Sequence, residues 1–141
     1  MVNLNDYKNK IKDFVLTSAK KFTSEKGNAN SFGIYCCPWA GWLTTNFNVN
    51  KSIKETNNNC PDFEFVEFDI LDLTEWEKEY ESDAPLYKID ETIFNFNHDM
   101  GDEKLNQIFL DYLEPLIIDI KSRTNQQILL QFLDSKYHIV L

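Results

Sequence analysis

Arginine is nearly missing from this chain: Arg123 is the only one in 141 residues, and 14 Lys plus Arg stand against 23 Asp plus Glu, a net charge of -9. Holding nucleic-acid phosphates requires a Lys/Arg stripe, so direct nucleic-acid binding is not expected. Cysteine is also scarce. Cys36, Cys37 and Cys60 are too few for a disulfide scaffold, and a chain of this length builds its core without one, which points to a reducing cytoplasm. The four glycines are isolated and the four prolines form no linker, so neither a phosphate-cradling loop nor a second domain is marked. Long apolar runs are absent too, none exceeding four or five residues, whereas a bilayer span needs about 20. The opening MVNLNDYKNKIKDF puts Asn, Asp and Lys where a signal peptide needs an apolar stretch. The expectation is one cytoplasmic globular domain over residues 1–141, with no membrane association.

Catalytic and metal motifs are missing as well. No GxSxG, P-loop, HExxH or CxxC occurs, and no cofactor is expected. Adjacent Cys36 and Cys37 on an extended segment point to opposite faces and read as small apolar side chains in a buried strand. A Cys–His dyad with His98 or His138 is the competing reading. The stretch Asn97 to Glu103 contains donors for a cation without the spacing of a calcium loop, and Asp99 or Asp102 serves as a cap or first-turn acid for the next helix.

What is present is periodicity. Tyr7, Ile11, Phe14, Val15, Ala19 and Phe22 predict an amphipathic helix from about Asn5 to Lys26, ended by Gly27 and Asn28. Phe32 to Cys37 and Trp42 to Val49, separated by PWAG, predict a β-hairpin with Leu43, Thr45, Phe47 and Val49 on one face. Asp62 to Ile70 reads as a strand in which Asp62 and Glu64 share a face, and its apolar phase switches between Phe65 and Val66, so a bulge is expected. Thr74 and Glu77 fit a capping box, which starts a short helix carrying Trp76, a core residue, and Tyr80. Leu86, Ile89, Ile93 and Phe96 approximate helical spacing, while Thr92, Ile93, Phe94 and Phe96 would sit equally well in a strand; a helix is assigned from Leu86 to Phe96. Leu105 to Ile120 hold one helical face from about Asp102 to Ser122, with Pro115 expected to kink or break it near Glu114. Gln127 to Leu133 and Tyr137 to Leu141 close the chain as a hairpin, with a helix from Gln126 to Leu133 as its rival. The class is α+β, an antiparallel or mixed sheet with helices packed mainly on one side.

Charge is concentrated. Between Asp62 and Asp83, ten acids face only Lys78, a net -9 equal to that of the whole chain. The acids read either as a solvated face or as a field that steers a basic partner. Trp39 and Trp42, flanking Ala40-Gly41, are candidate anchors because Trp is enriched at binding hot spots; the alternative is that one or both fold back as a lid on the core.

The layout resembles that of small immunity proteins of bacterial polymorphic-toxin and contact-dependent inhibition systems. The resemblance covers most of the chain and is carried by the helix NDYKNKIKDFVLTSAKKF, the hairpin FGIYCCPWAGWLTTNF, the acidic FEFVEFDILDLTEWEKEY and the long helix near the C-terminus. It implies a non-catalytic cytoplasmic protein that binds and neutralises a cognate toxin domain. A basic nuclease cleft is one candidate target. On this reading Glu64, Glu67, Asp69, Asp72, Glu75, Glu77 and Glu79 supply charge, Trp39 and Trp42 supply contact area, and the protein is a monomer or weak homodimer. The competing readings are a regulatory or scaffold binding module, including the cell-wall-regulator-like group, and an enzyme with a nonstandard Cys or carboxylate site.

Overall fold

The structure, a computed structural model, describes residues 1–141. Strand β1 (Val2–Asn3) and a 3-10 turn (Leu4–Tyr7) lead into helix α1 (Lys8–Lys26), which Gly27 ends at a φ of 94°. Strands β2 (Ser31–Cys37) and β3 (Trp42–Asn48) form the expected hairpin, followed by β4 (Phe65–Asp72) and helix α2 (Thr74–Tyr80). Then come β5 (Leu86–Ile89), β6 (Thr92–Asn95), helix α3 (Asp102–Thr124), β7 (Gln127–Phe132) and β8 (His138–Val140). The main sheet has the order β4-β3-β2-β7-β8, antiparallel except where β2 runs parallel to β7; β1, β5 and β6 make a smaller sheet. The architecture is α+β, and its sheets are mixed.

Side-chain parity explains the layers. Phe32, Ile34 and Cys36 of β2, Leu43 and Phe47 of β3, and Ile128, Leu130 and Phe132 of β7 point to one face, where Ile11, Val15 and Phe22 of α1 and Phe109, Leu113 and Ile117 of α3 pack on them. Phe22 stacks on Phe47 at 4.2 Å between ring centroids, and Trp76 is fully buried against Phe109 at 4.8 Å. Burying side chains of this size contributes about 1.5–3 kcal/mol each. The alternate residues of the same strands face away from the helices.

Four sequence expectations are corrected. Residues 86–96 form a hairpin rather than a helix, because Pro85 precedes β5 and Asp90, at φ 51°, turns the chain between Ile89 and Thr92; Asn5 and Lys8 bond to that turn. Thr74 is not a cap: Leu73 occupies that position with no side-chain cap bond, and its N–H donates to the Gly41 carbonyl at 2.7 Å. α3 runs unbroken through Pro115, which is exposed, so the Asp111 carbonyl it leaves free lies on the hydrated side. The acidic strand begins at Phe65, with Asp62 in a 3-10 turn (Cys60–Asp62), so Asp62 and Glu64 share no strand face. The terminal hairpin forms as expected.

Candidate functional site

The face of the main sheet turned away from α1 and α3 has two halves. Over β2 and β7 the loop 49–64 folds down as a small second core of Ile53, Cys60, Phe63 and Leu129. Close approach at Gly33 makes this possible, since a Cβ there would lie 2.6 Å from Cys60 Sγ. Gln131 fastens the loop by accepting from Cys60 N–H at 2.7 Å and donating to Asn59 Oδ1 at 2.9 Å. Glu64 fastens its other end.

Over β3 and β4 no loop forms such a roof, although Thr44 and Asn46 are buried there. Trp42, half-buried, leans on Tyr35 at 5.8 Å between ring centroids; Ile70, opposite Thr44, is 54% exposed, and Val66 further along β4 is exposed too. Trp42, Thr44, Glu67, Ile70 and Asp72 line an open cleft of about 330 Å³. The result is an apolar patch with a carboxylate at each end.

Glu67 occupies an unusual backbone. Asp69 pairs with Thr45, but the next pair along is Phe65 with Phe47, so β4 holds extra residues against β3 and bulges where the apolar phase switches. Phe65 and Phe68 both reach Phe22 at 5.1 Å, and the chain between them is forced outward. Six non-glycine residues have positive φ; five are Asn or Asp, which tolerate it, and the sixth is Glu67 at 51°. Asn46, buried on the open face, holds the bulge by accepting from Glu67 N–H at 2.8 Å and donating to the Gly33 carbonyl and Thr44 Oγ1.

The remaining acids are distributed elsewhere. Glu64 Oε1 accepts from the backbone N–H groups of Val49, Asn50 and Lys51 at 3.0, 2.7 and 2.9 Å. Desolvation pushes its carboxyl up, but these donors outweigh it and hold the group below its ordinary 4.5. Glu79 is likewise turned inward, toward the Met1 amino group at 2.9 Å and Leu86 N–H at 3.1 Å, and these contacts outweigh desolvation and lower its pKa. Asp69 lies on the helix side, where Lys21 Nζ reaches it at 3.0 Å. Glu75 and Glu77 are exposed on α2. Trp39 turns away from Trp42 and packs at the core margin, 6.4 Å from Tyr80. Of the nine sequence candidates, only Trp42, Glu67 and Asp72 share the open cleft.

Sequence reasoning did not single out Tyr35, Asn46, Val66 or Ile70. The signal was parity: once Leu43, Thr45 and Phe47 are assigned to one face, Trp42, Thr44 and Asn46 must occupy the other. The thiols are placed differently. Cys36, Cys37 and Cys60 are buried, and burial drives all three pKa values up, Cys37 to about 11 despite lowering backbone contacts from Ala40 and Trp39.

The fold and the site together define an α+β domain with one sheet face half roofed by its own loop and half left as an acid-rimmed aromatic surface. No protein-family model, curated protein or solved structure matches the chain. No helix is long and apolar enough to cross a membrane.

Proposed function

We propose that this chain is a non-catalytic, immunity-type protein of the cytoplasm that binds and neutralises a basic toxin domain through the open half of its main sheet. One observation carries the reading: a Trp42–Ile70 patch bounded by Glu67 and Asp72, with Glu67 held in a left-handed backbone conformation by a buried Asn46. Strain of this kind persists where the surroundings enforce it, and it concentrates at functional positions. An apolar centre with a charged rim is the anatomy of a protein interface. A nuclease cleft that holds phosphates is basic, and the carboxylates of this rim, with Glu75 and Glu77 nearby in sequence, imitate that polyanion. The buried, protonated thiols support binding over cysteine chemistry, which needs an accessible thiolate.

Co-purification of the chain with the product of the adjacent upstream gene tests this proposal. A complex is expected, and Trp42→Ala is expected to weaken it by about 2 kcal/mol or more, roughly 30-fold, while the melting temperature stays close to wild type. A complex unaffected by Trp42→Ala, or no complex at all, contradicts the proposal.

A further inference from the structure

β4 is an outer strand of the main sheet and, at eight residues, the longest edge of the molecule; β8, β6 and β1, the other outer strands, have three, four and two. Its hydrogen-bond phase follows from one bond. Leu73 N–H donates to the Gly41 carbonyl, and the register continues as Asp72 with Trp42, Leu71 with Leu43, Ile70 with Thr44 and Asp69 with Thr45. Bonded and non-bonded pairs alternate in an antiparallel ladder, so Leu71 and Asp69 bond inward to β3. Ile70 and Asp72 therefore turn their N–H and C=O groups outward, where no strand receives them.

A cleft flanks this edge on each face of the sheet. On the open side is the Trp42–Ile70 cleft; on the helix side, between α1 and β4, a groove of about 430 Å³ is lined mostly by polar side chains, Lys10, Asp13, Lys21 and Asp69 among them, with Phe14 and Leu71 as its apolar part. An added strand sends alternate side chains to opposite faces, so it needs a recess on both. We infer that the edge formed by Ile70 and Asp72 accepts an extended segment of the partner as a sixth strand of the main sheet, an inference that rests on the binding reading above. The segment alternates basic and small apolar residues. Its Lys or Arg side chains reach Asp72 and Glu67 with their stems over Ile70 and Trp42, and its small apolar residues rest on Phe14 and Leu71 in the otherwise polar groove. A second copy of this chain is the wrong occupant, because pairing β4 with itself sets Glu67, Asp69 and Asp72 against like charges. The bulge at Glu67 ends the regular edge and so anchors the added strand at Ile70 and Asp72.

The experiment uses the full chain and a labelled peptide, acetyl-Lys-Val-Lys-Thr-Lys-Val-amide. Binding is expected to slow amide hydrogen exchange at Ile70 and Asp72 by roughly tenfold or more. N-methylation of alternate peptide residues is expected to abolish binding in one phase and spare it in the other, because only one set of N–H groups faces β4. Ile70→Pro removes an outward N–H that the ladder to β3 does not use; it is expected to keep the fold and lose the peptide, while Ile70→Val keeps both. Equal binding by the two N-methylated phases, or protection elsewhere than Ile70 and Asp72, overturns the inference. If the upstream gene product binds Ile70→Pro as well as wild type, the added strand is refuted and the toxin reading stands. If nothing upstream binds while the peptide protects Ile70 and Asp72, the toxin reading falls and the edge stands.

Discussion

Glu67 sets stability against function within one residue. A non-glycine side chain in the left-handed region costs about 1–2 kcal/mol, and here the cost is held in place by the Asn46 side chain and the two phenylalanines that bracket the bulge. Glu67→Gly is therefore expected to raise stability by about 0.5–1 kcal/mol, less than the full strain because glycine loses more backbone entropy on folding. The same substitution removes a rim carboxylate, so partner affinity is expected to fall. Chemical denaturation together with a binding titration checks both signs. A Glu67→Gly variant that is less stable than wild type shows that the bulge is not strained, and one that binds normally removes Glu67 from the interface. Asn46 shows why residue-level roles were hard to read from the sequence: an Asn in an Asn-rich chain carries no mark, and only the fold reveals that its carbonyl accepts from a bulge twenty-one residues away.

At the scale of elements, the loop 49–64 decides how much of the sheet stays open, and its end depends on one carboxylate. Glu64 has its pKa lowered in the folded state, so the stabilisation it gives is complete above the ordinary value of 4.5 and is lost as pH falls through the lower folded value. Acid is thus expected to release the Val49–Lys51 turn, seen as pH-dependent amide shifts at Val49, Asn50 and Lys51 that vanish in Glu64→Gln. Shifts that persist unchanged in Glu64→Gln contradict this role. The element pattern was legible wherever a period was long or a phase changed: α1, the β2–β3 hairpin, the acidic strand with its bulge, and the terminal β7–β8 pair all follow from spacing. It failed between residues 86 and 96, where three of the four apolar residues at helical spacing, Leu86, Ile89 and Ile93, belong to two four-residue strands and Phe96 follows the second, with Tyr87 buried and Ile93 exposed. It failed at Pro115 because loss of one bond on a hydrated face is tolerated inside a helix packed through five turns. β1, two residues long and parallel to β5, leaves no sequence signal at all.

Over the whole molecule the two sheet faces carry different charge. The lysines of α1 lie on the helix side, where Lys21 reaches Asp69 of β4 and Lys12 faces Asp119 of α3, whereas Glu67 and Asp72 lie on the opposite sheet face. A field arranged in this way accelerates encounter with a basic surface by up to 10–1,000-fold at low salt and fades as ions screen it. The composition located this charge in one segment, but not its orientation: of the seven acids expected to face a partner, Glu64 is turned to backbone N–H groups of the 49–51 turn, Glu79 to the Met1 amino group and Asp69 to Lys21. The most direct measurement is the association rate of the co-purified partner with wild type and with the Glu67→Lys/Asp72→Lys variant, each at low and high salt. Fast, salt-sensitive association is expected for wild type and slow, nearly salt-independent association for the variant. Equal rates and equal salt dependence in the two proteins would contradict this expectation.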